Sequence, residues 1–312
     1  MKCKCEKNCI QKKEDILKDI NTLYKPCPEC HKKGLKKAIP LKQQIKLDKL
    51  DKNYKRCPQC HKRHIDYVMA HILKILIQNN QITPDASIRK LGTPLITPAL
   101  NLDYLPILSK KTLVIITNNT DKQTAQEILE EVPEVKAVIK GNTKEIVGQI
   151  TENVKPQTYN LMAGCDIRCD IQNNLDTTIC IYKEQSKIHI EYPRTNSPKL
   201  QEVDDILSQY ENPVILDAMC GVGTLGIYAL NKNAKKVIFN DIYNTAIDNL
   251  KTNLQVNNIS PDRYEIHNQN ILELAENIKE EVDIVLLDAF LEVDTTEYAN
   301  VLKKIGKDVV II

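Results

Sequence analysis

The sequence contains no tryptophan, two phenylalanines and nine glycines among 312 residues. With so few large aromatic side chains, the hydrophobic cores must be built mainly from Ile, Leu and Val. No apolar run approaches the ~20 residues that a helix needs to cross a bilayer, since the best candidate, 68–77, contains His71 and Lys74. The first residues, MKCKCEKNC, do not resemble a secretion signal. These absences predict a cytoplasmic protein that is not bound to a membrane.

Charge is distributed unevenly along the chain, although the formal net charge is only +2. Residues 1–64 carry 19 Lys and Arg against 7 Asp and Glu, whereas the remainder carries 24 against 34. A basic end joined to an acidic remainder is typical of a module that binds a polyanion. Because lysine is abundant throughout, a set of solvated lysine-rich faces is the alternative interpretation.

Four of the eleven cysteines form two Cys-x-x-Cys pairs, Cys27 with Cys30 and Cys57 with Cys60, separated by 26 residues. In a chain without a secretion signal, such pairs favour a metal over disulfides. Four thiolates in this arrangement predict a tetrahedral zinc site in a basic, zinc-ribbon-like domain over 1–66, with ribbon strands between the pairs. Alternative ligands follow the two pairs at His31, His61 and His64.

Two other groups of cysteines lead to different predictions. Cys3, Cys5 and Cys9 form a cluster that could hold a second metal or an iron–sulfur cluster, but the spacing is not diagnostic and no fourth ligand is evident. Cys165 and Cys169 are four residues apart in a segment with a strand pattern. We therefore interpret these two as small packing residues.

The middle of the chain is predicted to form two regions. Residues 67–110 begin with an amphipathic helix and continue as a proline-punctuated linker. Residues 111–196 alternate strand and helix patterns, which predicts a small α/β substrate domain. Its first elements are a strand at 113–117, a helix at 122–131 and a strand at 135–139. Two alternating segments, 177–182 and 187–192, predict an antiparallel pair.

The most informative stretch is VILDAMCGVGTLGIYALNKNAKKVIFND at positions 214–241. An apolar run is followed by Gly221, Gly223 and Gly226, then by a helical pattern and a second apolar run that ends at Asp241. The glycines let the chain turn sharply after the first strand and let a ligand lie against bare backbone. The helix start presents free N–H groups to that ligand.

Two acids at the ends of these strands restrict the choice of ligand. Asp241 follows Gly221 by 20 residues, where a carboxylate can accept hydrogen bonds from both ribose hydroxyls. Asp217 precedes the first glycine, where it would meet the charged amino group of a methionine moiety but would repel a pyrophosphate. The pattern therefore favours S-adenosylmethionine (SAM) over a dinucleotide. A glycine-rich turn without any ligand is the remaining alternative.

The C-terminal region, 197–312, is predicted to be an α/β domain with a doubly wound, Rossmann-like parallel sheet. Strand patterns at 264–267, 282–287 and 308–312 follow the first two strands, with helices predicted at 246–256 and 297–305. The five strands are expected in the spatial order 3-2-1-4-5, and the sequence given ends at the fifth.

The glycine motif resembles motif I of class I SAM methyltransferases. Together with EILEEVPEVKAVI, AGCDIRCDI and NSPKL, it resembles the archaeal tRNA guanine-N1 methyltransferases and the related wybutosine-synthesis transferases over roughly residues 111–290. The resemblance implies a SAM-binding domain over 197–312 that methylates a guanine nitrogen of tRNA. The zinc ribbon is an addition to the family plan. Open alternatives are a protein methyltransferase whose ribbon docks a protein, a non-catalytic RNA-binding protein, and an NAD-dependent enzyme.

The SAM hypothesis also assigns roles to individual residues. The expected cofactor contacts are Asp217, Gly221 and Gly223 for the methionine part, Asp241 for the ribose, and Ile242 and Asn270 for the adenine. Lys199 lies in a stretch like the family's SPRL and by that resemblance touches the substrate. Asp288 is expected to orient or deprotonate the target nitrogen while Phe290 stacks on the base. The family has Asn-Leu-Pro after the fourth strand, whereas this chain has Leu-Asp-Ala-Phe at 287–290.

Overall fold

The computed structural model describes residues 3, 5, 9–150, 156–290 and 293–312. The strands are β1 (Arg63–His64), β2 (Thr93–Ile96), β3 (Ile107–Leu108), β4 (Leu113–Thr117), β5 (Val135–Lys140), β6 (Asn160–Gly164), β7 (Ile167–Asn174), β8 (Thr177–Glu184), β9 (Val214–Asp217), β10 (Lys236–Asn240), β11 (Tyr264–His267), β12 (Val282–Leu287) and β13 (Gly306–Ile311). The α-helices are α1 (Lys13–Leu17), α2 (Ile20–Leu23), α3 (Ile65–Gln78), α4 (Lys122–Glu131), α5 (Pro198–Leu207), α6 (Thr224–Asn231), α7 (Asn244–Val256), α8 (Ile271–Ala275) and α9 (Thr296–Leu302). Over these ranges, none of the helices has both the length and the apolar character needed to cross a bilayer.

The last five strands form a parallel sheet in the order β11-β10-β9-β12-β13. This is the predicted 3-2-1-4-5 order, and it confirms the doubly wound, Rossmann-like fold class. Helices α5, α6 and α7 pack on one face, against Ile215 and Leu286, whereas α8 and α9 pack on the other, against Leu216 and Val285. Because both faces are covered, the three central strands β10, β9 and β12 are nearly continuous apolar runs, and this made them readable in the sequence.

The smaller sheet has the order β2-β4-β5-β6. The predicted strand at 113–117 and helix at 122–131 coincide with β4 and α4. Helix α3 is buried around most of its circumference, because α4 and the small sheet cover one side and the segment between the cysteine pairs covers the other. One core cluster therefore joins residues from three of the predicted domains, whose boundaries remain predictions.

The segment between the two cysteine pairs lacks the ribbon strands predicted for it, and that prediction is wrong. From residue 31 to residue 62 the described backbone contains two 3₁₀ turns, Leu41–Gln43 and Leu47–Lys49. Leu41, Ile45 and Leu50 pack in the core beneath α3. Their spacing of four and five residues anchors successive turns, whereas a half-buried strand requires apolar residues at every second position.

The antiparallel pairing near residue 180 also differs from the prediction. Strand β8 pairs with β7 through a two-residue turn at Leu175 and Asp176, and 187–192 is not a strand. Leu175 adopts a φ of 51°, a left-handed turn conformation that Asn or Gly usually signals, so the hairpin was invisible in the sequence. After β8 the chain turns away from the hairpin. Asp166 stabilises this turn, because its backbone carbonyl accepts from the N–H of Gln185 and its Oδ2 accepts from the N–H of Ser186.

A row of three asparagines, two on α7 and one directly after it, binds the edge of β8 that does not pair with β7. The bonds join Asn249 Oδ1 to Glu184 N at 2.8 Å, Asn253 Oδ1 to Tyr182 N at 2.7 Å, and Asn257 Oδ1 to Cys180 N at 3.0 Å. Four helical residues advance about 6 Å, and two strand residues advance about 6.7 Å, so the two repeats match. The side-chain amides replace a neighbouring strand and fix the hairpin against the large sheet's helical layer.

The central asparagine of this row gives a stability prediction. Besides Tyr182 N, Asn253 bonds Tyr182 O and the carbonyl of Val222 in the glycine turn. Asn253→Ala leaves these buried groups unpaired, so we expect a loss of about 3 kcal/mol in the free energy of unfolding, measured by urea denaturation. Gln255→Ala, an exposed position on the same helix, is the control and should change stability by less than about 0.5 kcal/mol. Equal effects of the two substitutions would contradict the role of the asparagine row.

Candidate functional site

The turn between β9 and α6 has glycine at two left-handed positions, Gly221 with φ 54° and Gly223 with φ 89°. A Cβ on Gly223 would lie 2.3 Å from the side chain of Leu250, so glycine there allows α7 to approach. A Cβ on Gly221 would meet no atom within 4 Å. The backbone of Gly221 therefore borders open space at the carboxyl edge of the sheet, where ligands bind in doubly wound folds.

Asp217, at the end of β9, is a buried carboxylate with unused bonding capacity. Its Oδ2 accepts a hydrogen bond from the N–H of Gly226 at 2.9 Å, while its buried Oδ1 has no partner among the described residues. Burial raises the pKa of Asp217 to about 8, and the nearby charges of Asp288 and Asp241 act in the same direction. Because a buried unpaired carboxylate is costly, a cationic ligand at this turn would supply what the site lacks.

Asp241 follows β10 and points back to the same turn. Its Oδ2 accepts from the N–H of Gly221 at 2.8 Å and its Oδ1 accepts from the N–H of Tyr243 at 2.7 Å. Burial raises the pKa of this carboxyl group as well. Each carboxylate oxygen can accept a second bond, so capacity for hydroxyl donors remains.

The two residues expected beside the adenine, Ile242 and Asn270, differ in whether their side chains are free to contact a ligand. Ile242 is 50% exposed directly after Asp241, which leaves an apolar surface free at the strand end. The side-chain oxygen of Asn270 accepts from the N–H of Leu272 at 3.0 Å and caps α8. The role of Asn270 toward a base stays a prediction, and its oxygen has a structural partner.

The residues predicted to face the substrate lie together at the end of β12. The ammonium group of Lys199 donates to both oxygens of Asp288, at 2.7 and 2.6 Å, although the residues are 89 positions apart. Burial raises the pKa of Asp288, and the Lys199 charge opposes that shift. The ring of Phe290 packs edge-to-face on His189 with 5.9 Å between centroids. Lys199, Asp288 and Phe290 therefore border the same strand end.

His189 was missed by the sequence analysis. Its Nδ1 is buried and has no hydrogen-bond partner among the described residues, and burial lowers the pKa of the ring so that it is neutral at pH 7. Neighbouring Glu191 forms a 2.6 Å ion pair with Lys183, which in turn lies 3.0 Å from Asp170. The role of His189 was not apparent in the sequence, because polar and apolar residues alternate over 187–192 as in a strand.

The two cysteine pairs converge as predicted. The Sγ atoms of Cys27 and Cys30 are 3.6 Å apart, and 3.4 Å separates Cys27 from Cys57 and Cys30 from Cys60. Burial opposes ionisation, but the backbone N–H groups of Cys60 and Gln59 lower the pKa of Cys57 to about 7. A zinc–sulfur bond of 2.3 Å places tetrahedral sulfurs about 3.8 Å apart, so the four thiols fit a zinc ion.

The fold is a Rossmann-like, doubly wound unit with a glycine turn and two acids at the carboxyl edge of its sheet. The profile of a protein family described as "Conserved hypothetical protein 95" matches residues 193–311. A ribosomal RNA small subunit methyltransferase D of Haemophilus influenzae is 35% identical over 86 residues, which is 27% of this chain and 45% of that protein. A tRNA (guanine(37)-N(1))-methyltransferase of Caenorhabditis elegans is 27% identical over 184 residues, which is 58% of this chain and 35% of that protein.

These matches confirm the expected resemblance to RNA methyltransferases, including a tRNA guanine-N1 enzyme. The chain spans less than half the length of these two relatives. Among solved structures, P. horikoshii TYW2 in complex with MeSAdo is similar at 18% identity and a TM-score of 0.46, covering 77% of this chain and 78% of that one. The strand order described above, rather than this likeness, establishes the fold.

The elevated pKa of Asp217 gives a prediction for stability against pH. The folded carboxyl titrates near pH 8 and the unfolded one near about 3.9, so the folded state holds a proton that the unfolded state has lost. The stability of the wild-type protein therefore falls as pH rises between these values. Asn cannot titrate, so Asp217→Asn should gain stability relative to wild type by up to about 1.4 kcal/mol per pH unit from pH 5 to 8. Urea denaturation at several pH values measures the difference.

The matched control for this experiment is Asp205→Asn, which changes an exposed carboxylate on α5. Its stability should follow the pH profile of the wild-type protein. Parallel profiles for Asp217→Asn and wild type would show that Asp217 ionises normally in the folded protein.

Proposed function

We propose that this chain is a cytoplasmic methyltransferase that transfers the methyl group of SAM to a guanine nitrogen of tRNA. The observation that carries the proposal is the buried, unpartnered Oδ1 of Asp217 beside the open face of Gly221. A cofactor with a cationic amino group and a ribose matches this carboxylate and that of Asp241. The names of the curated relatives support an RNA substrate.

The cofactor residues bind and orient, because the sulfonium of SAM already supplies a reactive methyl group. Asp217 holds the amino group of the methionine part, and the bare backbone of Gly221 and Gly223 lets that part lie against the turn. Asp241 accepts the ribose hydroxyls, with Ile242 against one face of the adenine and Asn270 at its edge. SAM held by these residues would supply the methyl group, and the residues at the end of β12 would align the target base for in-line attack.

Asp288 and Lys199 act on the target base. A guanine N1 carries a proton that must leave as the nitrogen attacks, and Asp288 is the carboxylate that accepts it. The raised pKa of Asp288 makes it a better base than an exposed carboxylate. Lys199 leaves its ion pair to contact the substrate, and Phe290 stacks on the base. Neutral His189 supports the ring of Phe290 and offers Nδ1 as a further hydrogen-bonding atom.

The N-terminal 64 residues bind the tRNA backbone in this proposal. Their excess of basic over acidic residues suits phosphates. A zinc ion held by Cys27, Cys30, Cys57 and Cys60 stabilises the fold of this segment, where regular secondary structure is sparse.

Transfer of labelled methyl groups from SAM tests the proposed reaction. Purified protein is offered bulk tRNA and, separately, the soluble proteins of its own cell, and labelled tRNA is digested to nucleosides. The proposal predicts label in a methylguanosine. Label in a protein band alone would contradict it and would support the alternative of a protein methyltransferase whose zinc module docks the substrate. Absence of label in both would contradict methyl transfer to either class.

Substitution of Asp288 separates turnover from cofactor binding. Asp288→Asn keeps the shape but removes the base, so the rate of methyl transfer should fall by about 10²-fold or more. The affinity for SAM, measured by calorimetry, should change less than about threefold, since Asp288 does not hold the cofactor. Asp205→Asn is the matched control and should alter neither quantity. Equal losses in rate and affinity, or no loss in either, would reject this role.

Salt dependence tests the basic segment. Lys32→Gln/Lys33→Gln removes two exposed charges next to the first cysteine pair. This variant should bind tRNA more weakly, and a plot of log affinity against log salt concentration should be less steep. Lys303→Gln/Lys304→Gln removes two exposed charges from the acidic part of the chain and serves as the control. Filter binding at salt concentrations from about 50 to about 200 mM measures the slope for each variant. Equal slopes for the two variants would contradict tRNA binding through this segment.

A further inference from the structure

A second group of four cysteines also converges in space. Cys3, Cys5 and Cys9 come from the N-terminal segment, and Cys165 comes from the connection between β6 and β7. The four Sγ atoms all lie within 4.8 Å of one another. Cys165, interpreted from the sequence as a packing residue, is buried beside Cys169 as expected, and it also brings a fourth thiol to the group that the sequence did not show.

The geometry suits a single ion. Cys165 Sγ lies 3.9 Å from Cys3 Sγ and 3.8 Å from Cys9 Sγ, close to the separation of about 3.8 Å that a 2.3 Å zinc–sulfur bond imposes on tetrahedral ligands. Cys3 Sγ is nearer to Cys5 Sγ and Cys9 Sγ, at 2.7 and 3.0 Å. An iron–sulfur cluster contains several metal atoms between its cysteines and would hold the sulfurs further apart.

The surroundings favour a negatively charged site. The ammonium group of Lys136, on β5, is buried and donates to the carbonyl of Ile167. The backbone N–H of Cys165 donates to the carbonyl of Lys136 at 3.1 Å, which places this residue beside the cysteines. Four thiolates and one divalent cation carry a net charge of −2, so a nearby buried cation stabilises the loaded site.

The N-terminal segment next to the site packs on two separate parts of the molecule. The N–H of Gln11 donates to the hydroxyl of Tyr182, which donates to the carbonyl of Cys9. Lys13 bonds Asn231 on α6, and Glu14 bonds Asn258 at the end of α7. Coordination of one ion by Cys3, Cys5, Cys9 and Cys165 would fix this segment against the β7–β8 hairpin and the helices of the large sheet.

We propose that Cys3, Cys5, Cys9 and Cys165 bind one zinc ion, separate from the one at Cys27, Cys30, Cys57 and Cys60. The second ion fastens the N-terminal segment to the β6–β7 connection and closes a loop of 156 residues between Cys9 and Cys165. The metal is structural, since all four coordination positions are filled by thiolates and no position is left for a substrate.

Metal analysis of the purified full-length protein tests this site. Reduced protein is prepared without added metal or chelator, and zinc, iron and sulfide are measured per chain. We expect two equivalents of zinc in the wild-type protein. Cys3→Ser/Cys5→Ser and Cys30→Ser should each retain one, because each variant loses a different site. Cys220→Ala removes a buried cysteine outside both groups and should retain two.

The variants also separate this proposal from the zinc site proposed above. One equivalent in wild-type protein that is lost in Cys3→Ser/Cys5→Ser but kept in Cys30→Ser would support the second site alone. Zinc unchanged by Cys3→Ser/Cys5→Ser would overturn the second site, as would iron with sulfide in place of zinc. A disulfide among the four cysteines of protein purified without reductant, seen as a loss of two hydrogens in the intact mass, would overturn it as well.

A structural readout distinguishes binding of the ion from a mere effect on folding. In the loaded protein the segment around Lys12 and Lys18 is held against the hairpin, and brief trypsin treatment should leave it intact. In Cys3→Ser/Cys5→Ser trypsin should cut the peptide bonds after Lys12 and Lys18 at least tenfold faster, while its cleavage at other sites is unchanged. Equal cleavage rates would show that the ion does not fasten this segment.

Discussion

The row of asparagines on α7 and directly after it is the constraint on which the arrangement of the site depends. It joins the edge of β8 to the helix that starts three residues after Asp241. Asn253 also bonds the carbonyl of Val222 in the glycine turn. The segment after β8 carries His189 to the end of β12, where it meets Phe290. The hairpin and the large sheet are therefore held in one geometry. The same bonds position the residues proposed to contact the cofactor and those proposed to contact the base.

The site combines two carboxylates with different surroundings. Asp217 is enclosed by the glycine turn and keeps one oxygen unpartnered, whereas Asp288 lies further out and is paired with Lys199. A buried acid without a partner favours a cationic ligand, and a carboxylate that shares a movable lysine can exchange that partner for a substrate. This difference in burial is the reason for the proposal that Asp217 holds the cofactor and that Asp288 acts on the base.

Strands β9, β10 and β12 were readable because buried parallel strands are apolar runs, and β12 begins and ends where the sequence placed it. The glycine turn and Asp241 were readable because few residue types allow such a turn. The β7–β8 hairpin was not, since Leu175 gives no turn signal. The contact of Cys165 with the N-terminal cysteines, and the position of His189, depend on tertiary packing that local periodicity does not encode.

The central claim is that the edge beside Asp217 and Gly221 holds SAM, and calorimetric titration of SAM into wild-type protein and Gly221→Ala tests it most directly. An added methyl group at Gly221 meets no protein atom, so beyond the modest strain of its left-handed φ it should leave the fold intact. The account predicts that wild type binds one SAM and that the variant binds at least tenfold more weakly with little change in melting temperature. Unchanged affinity in Gly221→Ala, or no binding by wild type, would contradict it.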